Sequence, residues 1–262
     1  MFRKSFHPLS KTWLARLPLY LLAGLAGAGA AKAGDDASCR QVDRDEARFT
    51  VCSVDPGKDQ IRLFNKGPDG NPYRSFSRLA QTLWGTREVL DFAVNGGMYE
   101  EDLGPVGLYV EYGIERHRAN RRDGYGNFHL KPNGVFAVAG GKAVVAETGA
   151  YLASGFKADY ATQSGPMLVI EGKIHPRFKA DSDSLKIRNG VGVDAAGQVH
   201  LVLSERPIRF YDFATYFRDD LECPNALFLD GSISSLYAPS LDRHDGWFPL
   251  GPIIGVVRHL PD

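Results

Sequence analysis

The chain has 262 residues, of which 44% are hydrophobic and 24% charged, and this balance excludes a disordered or fibrous protein. Its formal net charge of zero hides an asymmetry, because the first 33 residues contain five basic and no acidic residues. The remainder has 26 basic and 31 acidic residues, a net charge of −5, which argues against nucleic acid or anionic lipid as a partner.

The N-terminal 33 residues have the pattern of a cleaved secretory signal peptide. Four Lys and Arg residues precede an apolar run over residues 17–31, and Ala31-Lys32-Ala33 places small residues at the two positions that a signal peptidase reads. The run is shorter than the ~20 residues that span a bilayer, which disfavours the alternative of a membrane anchor. We therefore predict a signal peptide over residues 1–33, no stable membrane insertion after cleavage before Gly34, and a periplasmic or secreted protein.

Export would place the three cysteines in an oxidising compartment, where pairing is favoured. Cys39 and Cys52 flank a short polar segment, and we predict a disulfide between them. Cys223 precedes a proline and an apolar run, so we expect a buried free thiol there. A catalytic thiol is the lesser alternative, because nothing basic adjoins it to lower its pKa. Residues 34–47 are polar and are expected to form an N-terminal extension that is loose until Cys39 is tied down, before one domain over residues 48–262.

Hydrophobic periodicity and turn residues divide this domain into short elements. In chain order the predicted elements are strands over 49–54 and 61–64, a helix over 75–84, strands over 89–94 and 108–110, hairpins over 135–147, 167–174 and 191–203, a helix over 212–221 with Asp212 as its N-cap, and strands over 226–229 and 253–257. Hairpins in succession with few helices predict an α+β domain, built mainly on antiparallel β-sheet. No linker or repeat divides it, so one core is expected.

Four polar or glycine-rich clusters follow directly on apolar strands. They are Asn95-Gly96-Gly97-Met98-Tyr99, Gln163-Ser164-Gly165-Pro166, Lys186-Ile187-Arg188-Asn189-Gly190 and Asp230-Gly231-Ser232-Ile233-Ser234-Ser235. Loops at strand ends are where binding sites are usually built, and these residue types offer hydrogen bonds to an oxygen-rich ligand.

Each cluster, taken singly, also has a structural explanation. Asn95-Gly96-Gly97 is explained equally well as a turn, Ser164 as a hydroxyl that satisfies a loop, and Arg188 as a surface cation. Asp230 is the strongest functional candidate, because a carboxylate directly after an apolar strand starts next to the core, where desolvation shifts its pKa.

In this order the four clusters resemble the phosphodiester glycosidase family, which includes the enzyme that uncovers mannose 6-phosphate on lysosomal hydrolases. That family has an Asn-Gly-Gly segment, a Ser-Gly-Pro segment, an Arg before a Gly-Val/Ile-Gly strand, and a late Leu-Asp-Gly-Gly-Gly-Ser-Ser. Residues 127–134 and 161–166 are similar to a bacterial exported branch of the family. The resemblance extends from Phe49 to the C-terminus. It departs from the family at Ser232 and Ile233, which stand where the family has two further glycines.

The resemblance implies a hydrolase that cleaves a sugar from a glycosyl phosphodiester of the cell envelope, and no cofactor or metal site is evident in the sequence. Such chemistry needs carboxylates at the anomeric carbon and a cation or N–H donors at the phosphate. Asp230 and Glu205 are the candidate catalytic residues, although Glu205 is explained equally well as a solvated surface residue. The candidate substrate-binding residues are Asn95, Gly97, Ser164, Gly165, Arg188, Gly231 and Ser234, with Arg188 on the phosphate side.

Two other functions would also explain these polar loops. One is a non-catalytic module that binds an envelope glycan in the same cleft, and the other is an envelope structural protein with a degenerate site. Two carboxylates that converge to within ~5–10 Å would favour hydrolysis over binding alone.

Overall fold

The structure, a computed structural model, describes residues 38–261 of the chain. The strands are β1 (Ser38–Arg44), β2 (Ala47–Val54), β3 (Gln60–Phe64), β4 (Glu88–Asn95), β5 (Tyr109–Glu111), β6 (Ile114–His117), β7 (Gly134–Ala139), β8 (Lys142–Glu147), β9 (Tyr160–Ser164), β10 (Met167–Ile170), β11 (Lys173–Ile174), β12 (Asn189–Val193), β13 (Val199–Ser204), β14 (Asn225–Asp230), β15 (Leu236–Ala238), β16 (Arg243–His244) and β17 (Ile253–His259). The α-helices are α1 (Phe76–Trp84), α2 (Thr148–Ser154) and α3 (Phe210–Thr215). The predicted signal peptide lies outside the described residues.

These strands form three sheets, and every strand pairing within residues 38–261 is antiparallel. The first sheet has the order β1-β2-β13-β12-β14-β10-β11, the second β16-β15-β4-β17-β3 and the third β6-β5-β9-β7-β8. The predicted α+β class with mainly antiparallel sheet is confirmed.

All three sheets bury one face in a common central cluster. Cys52 and Leu227 come from the first sheet, Leu63 and Phe92 from the second, and Phe136 from the third. A helix covers the opposite face of each sheet, with α3 on the first, α1 on the second and α2 on the third. Successive strand residues point to opposite faces, so each central strand is buried on both.

Strand β14 contains a β-bulge at its C-terminal end. Gly190 of β12 lies opposite Phe228, but the next residue of β12, Asn189, lies opposite Asp230. Leu229 is therefore an extra residue with no partner on β12. The backbone carbonyl of Leu229 accepts a 2.7 Å hydrogen bond from the hydroxyl of Ser164, the last residue of β9. A serine of the third sheet thus satisfies the carbonyl that the bulge removes from the ladder.

The N-terminal extension is not loose throughout, because β1 pairs along its whole length with β2. This segment was not predicted as a strand, since it is polar and lies at the edge of the first sheet. Cys39 lies opposite Cys52 with a Cα–Cα distance of 4.0 Å, and the two form the predicted disulfide. Cys223 is a buried free cysteine, as expected.

The first helix agrees with the sequence prediction and the last one differs from it. Ser75 caps α1, and its side chain accepts a 3.2 Å hydrogen bond from the backbone N–H of Arg78. The predicted N-cap at Asp212 is wrong, because the cap position is held by Arg209, three residues earlier, and α3 begins at Phe210. The Asp212 carboxylate instead lies 3.4 Å from the guanidinium of Arg209. A π-helical turn over Tyr216–Asp220 continues α3.

Candidate active site

Three buried residues from two sheets meet at the ends of β4, β12 and β14. The side-chain amide of Asn189 donates to Oδ1 of Asn95 at 2.9 Å and to its backbone carbonyl at 3.1 Å. Oδ1 of Asn189 accepts a 2.9 Å hydrogen bond from the backbone N–H of Asp230. Oδ1 of Asn95 also accepts from the backbone N–H of Ser235, at 2.9 Å. Asn95 and Asn189 thereby fix both ends of the 230–235 segment.

The carboxylate of Asp230 lies at the base of the loop that follows β14. Asp230 is 8% exposed, and its Oδ1 accepts a 2.8 Å hydrogen bond from the backbone N–H of Ser232. Burial raises the pKa of the Asp230 carboxyl, although hydrogen bonds from the backbone N–H groups of residues 231–233 act in the opposite direction. The Ser234 hydroxyl donates to the backbone carbonyl of Asp230 at 2.9 Å. A raised pKa makes a carboxyl a better proton acceptor than an ordinary aspartate, as a general base requires.

Two glycines of the sequence motifs allow this close packing. Gly97 has a φ of +138°, and a Cβ there would lie 2.9 Å from Oγ1 of Thr162. Gly165 precedes a cis proline, and a Cβ there would lie 2.7 Å from the Cβ of Asn133. Both positions are therefore restricted to glycine by the surrounding backbone and side chains.

A cavity of about 400 Å³ opens over the loop that follows Asp230. Its lining includes Gly231, Ser234 and the carboxylate-bearing residues Glu205 and Asp245. Between the two carboxylates lies Arg243, whose guanidinium pairs with Glu205 and, at 2.9 Å, with Asp245. Burial disfavours the charged form of Arg243, but the hydrogen bonds and charges of Asp245 and Glu205 outweigh this effect and raise its pKa. The cavity thus holds two acids and one cation.

Glu205 is held in place from two sides. It follows β13 directly, and the hydroxyl of Thr50 donates a 2.5 Å hydrogen bond to its Oε1. The same oxygen accepts from Arg243. These contacts make Glu205 a fixed part of the cavity wall.

One rim of this cavity is a loop with two exposed aromatic side chains. Trp247 is 89% exposed and Phe248 is 55% exposed, and both line the cavity. The loop is anchored at each end: the Tyr99 hydroxyl donates to the carbonyl of Pro249 at 2.6 Å, and Asp245 accepts a 2.9 Å hydrogen bond from the backbone N–H of Leu236. Burial and the nearby charge of Asp230 raise the pKa of Tyr99 to about 12. The aromatic loop is therefore tied to the segment that carries Asn95.

The structure does not bring Arg188 to this cavity. Arg188 is 1% exposed, and its guanidinium lies 3.6 Å over the ring of Phe210 and donates to the carbonyls of Ile208 and Ser184. Burial alone lowers its pKa to about 10, with no contribution from Asp230. The physical reason is strand alternation, because Arg188 and its neighbour Asn189 point to opposite faces of the first sheet.

The sequence-predicted residues therefore fall into three groups. Gly231, Ser234 and Glu205 line the cavity, and Asp230 lies at the base of its loop. Asn95 and Ser164 are hydrogen-bonded to Ser235 and Leu229, on either side of that loop base, whereas Gly97 lies against Thr162 and Ser164, and Gly165 against Asn133. Arg188 lies apart. Sequence reasoning missed Asn189 and four residues of the cavity wall, Arg243, Asp245, Trp247 and Phe248. Asn189 stood in a recognised cluster and could have been selected, since its amide has both donors and acceptors. The other four lie in no recognised motif.

Two further findings concern residues 38–261 as a whole. No three His, Cys, Asp or Glu side chains in this range are grouped so that they could hold a metal ion. Every helix in this range is too short or too polar to cross a bilayer.

Comparison with known proteins relates this site to one family. The phosphodiester glycosidase family matches residues 89–256. The Escherichia coli (strain K12) protein YigE, itself uncharacterized, is 37% identical over 185 residues, which cover 71% of this chain and 72% of YigE.

Two solved structures share the fold. The catalytic domain of zebrafish N-acetylglucosamine-1-phosphodiester alpha-N-acetylglucosaminidase, auto-inhibited by its pro-peptide, has a TM-score of 0.56 at 14% identity, over 86% of this chain and 83% of that one. A hypothetical protein from Synechocystis has a TM-score of 0.50 at 17% identity, over 84% of this chain and 61% of that one. Together with the family match and the identity to YigE, these findings mean that the chain belongs to the phosphodiester glycosidase family.

Proposed function

We propose that the protein is an exported hydrolase that cleaves a sugar from a glycosyl phosphodiester in the cavity over the Asp230 loop. The observation that carries the proposal is the hydrogen-bonded meeting of Asn95, Asn189 and Asp230 at the start of a loop whose following residues line a cavity with two acids and a cation. Three motif segments far apart in sequence converge there, which a purely structural role for each would not require.

The reaction adds water across the bond between the anomeric carbon and the phosphate oxygen. That C–O bond breaks, a water oxygen forms the new bond to carbon, and the water's proton ends in solution or on the phosphomonoester. Asp230, with a pKa raised by burial, would take up or deliver the proton at the sugar. Because the phosphate is a good leaving group, strong help from a general acid is not required.

The remaining cavity residues suit the two halves of such a substrate. Arg243 supplies a cation for the phosphate, which would compete with Asp245 and Glu205 for its N–H donors. Trp247 and Phe248 offer aromatic faces on which the apolar side of a sugar ring can pack. Arg188 then becomes a positioning residue, which holds the 184–188 segment beside the cavity through its contacts with two backbone carbonyls.

Export is part of the proposal. The signal-like N-terminus supports it, and so does the disulfide between Cys39 and Cys52, since disulfides persist in oxidising compartments. The substrate class follows the zebrafish enzyme, whose name specifies an N-acetylglucosamine-1-phosphodiester. A periplasmic or secreted location would make a glycosyl phosphodiester of the cell envelope the substrate.

One observation favours the second candidate function, a glycan-binding module without catalysis. Ser232 and Ile233 stand where the family has two glycines, and both residues line the cavity, so their side chains take up space that glycines would leave open. Ile233 packs partly into the cluster beneath α1 while bordering the cavity. A narrowed site would retain binding and lose turnover.

The experiment that separates the two functions is a screen of the purified protein against glycosyl-1-phosphodiesters, with free sugar as the readout. The hydrolase proposal expects release that depends on Asp230. Binding of the diesters without any release would support the glycan-binding module, and neither binding nor release would contradict both functions.

A further inference from the structure

A second cavity, larger than the first, lies between the second and third sheets. It has a volume of about 690 Å³, within the range of small-molecule sites. It lies between the end of β3, the hairpin of β5 and β6, and the loop over residues 102–105. It shares no lining residue with the cavity over the Asp230 loop. Any ligand of this cavity would therefore bind independently of the site described above.

Two polar groups lie on the wall of this second cavity. Tyr109 is 1% exposed, and its buried hydroxyl makes no hydrogen bond with any described residue. The carboxyl of Glu111, two residues further along the same face of β5, is partly buried, and the charge of Arg116 acts on it. Buried polar groups are nearly always paired with protein, water or ligand, so the unpaired Tyr109 hydroxyl on this cavity points to an occupant.

The walls indicate the chemistry of that occupant. Aromatic faces come from Phe64, Tyr73 and Tyr112, of which Tyr112 is exposed. Burial raises the pKa of Glu111 to about 7, so that its carboxyl is largely protonated in mildly acidic solution and acts as a hydrogen-bond donor.

The charged side chains on the cavity wall restrict the charge that a ligand can carry. Arg116, His117 and Lys66 line the same cavity and disfavour a cationic ligand. An anionic ligand would be repelled by Glu111 whenever that carboxyl ionises, and by Asp102. What fits is an uncharged ligand with many hydroxyl groups and an apolar ring face.

We propose that this second cavity binds a neutral saccharide of one or two units, which pairs with the Tyr109 hydroxyl and the Glu111 carboxyl and packs on Tyr112. The site is separate from the hydrolytic site and does not depend on the proposed reaction. In an enzyme that acts on envelope glycans, such a site would hold part of the polymer while another part is cleaved.

Saturation-transfer NMR tests the proposal on the purified protein, with glucose, N-acetylglucosamine and maltose as probes, in solution below the pKa of Glu111. We expect transfer to at least one probe. Tyr112→Ala should weaken that binding at least ~5-fold through the lost stacking surface. Glu111→Ala should weaken it similarly, whereas Glu111→Gln should stay within about twofold, because the amide still donates.

Tyr109→Phe separates binding from a structural role. It removes only the hydroxyl, so binding should weaken roughly 3-fold while the melting temperature stays equal or rises, since an unpaired buried group is removed. Tyr125→Ala is the matched control, because Tyr125 is fully exposed and lines neither cavity. Melting curves of every variant establish that it is folded.

Two results would overturn the proposal. One is the absence of transfer to all three probes from folded wild-type protein, which would mean that the cavity holds water only. The other is transfer that survives Tyr112→Ala and Glu111→Ala but is abolished by Trp247→Ala, which would locate the sugar in the cavity over the Asp230 loop.

Discussion

The backbone N–H of Asp230 donates a 2.9 Å hydrogen bond to Oδ1 of Asn189, the residue directly opposite it on the neighbouring strand. The amide nitrogen of Asn189 is bound in turn to Asn95, which belongs to another sheet. One side chain therefore joins the first sheet to the second at the point where the candidate carboxylate leaves the core.

Asn189→Ala should lower kcat about 10-fold or more, because Asp230 loses its fixed position. KM should change little, because the groups that bind the substrate remain in place. It should also cost about 1–3 kcal/mol of unfolding free energy, since buried groups lose their partners. Steady-state kinetics and urea denaturation measure the two effects. Asn127→Ala, at an exposed position, is the control. Lost stability with wild-type kinetics would assign Asn189 a structural role alone.

Asp230→Asn should leave the fold intact and lower turnover by ~100-fold or more, as is typical when a catalytic acid or base is removed. The amide keeps the shape of the side chain and removes its charge. Sugar release from a proven substrate and a thermal melt measure the outcome. Turnover close to that of the wild type would remove Asp230 from the mechanism.

Trp247→Ala should raise KM about 5- to 10-fold while kcat stays within twofold, because a stacking surface that serves substrate and transition state equally is lost. Trp84, also exposed but outside the cavity, provides the control as Trp84→Ala. Equal effects of the two substitutions would speak against a sugar-binding role for the aromatic loop.

Glu111→Gln should stabilise the protein in a pH-dependent way. The pKa of Glu111 is raised from 4.5 to about 7 by burial, so the folded state holds this proton more tightly than the unfolded state. The stabilisation of the folded state by this proton is complete below the pKa that Glu111 has in the unfolded state. It is lost as the pH rises through about 7, the pKa in the folded state. In mildly alkaline solution the variant should therefore melt about 2–4 °C above the wild type, which corresponds to a difference of ~1 kcal/mol in unfolding free energy. At acidic pH the two proteins should melt at the same temperature. A pH-independent difference would contradict the raised pKa.

Removal of the disulfide by Cys39→Ser with Cys52→Ser should destabilise the protein by about 3 kcal/mol in the chain-entropy model. The bridge closes only a short loop, with a sequence separation of 13. Denaturation of this variant beside the wild type under oxidising conditions measures the loss. A reducing agent should lower the stability of the wild type but not that of the double variant, whose remaining Cys223 is a free thiol.

Much of the fold was predictable, because apolar strands and glycine turns leave a clear local pattern. Strand β9 was missed since its buried residues are polar: Thr162 and Gln163 satisfy their groups by hydrogen bonds to Gly96, Leu108 and Asn120. Such pairing exists only in the folded chain. Polar residues in a strand therefore do not indicate exposure when distant partners are available.

Part of the candidate site was also predictable from the sequence. Asp230 was found because it comes directly after the apolar residues of its strand, and Ser164 was found because its Ser-Gly-Pro segment resembles a motif of the family. Arg188 was placed with them by its motif, yet a residue adjacent to Asn189 must point to the other face of the sheet. Arg243 and Trp247 lie in a segment whose sequence has no periodicity, and only the fold of the whole chain brings them over Asp230.

The bulge at Leu229 gives this region an unusual intolerance of length changes. With Leu229 deleted, Asp230 would follow Phe228 directly in a regular ladder with β12, and the backbone carbonyl that accepts the hydrogen bond from Ser164 would be lost. The segment that carries Asp230 would then lose its hydrogen bond to the third sheet, although Asp230, Asn189 and Ser164 were all still present. Natural relatives that keep this site should therefore vary freely in the length of their surface loops, while the spacing between Phe228 and Asp230 stays constant. This spacing is then a better marker of a working site than the identity of any single loop residue.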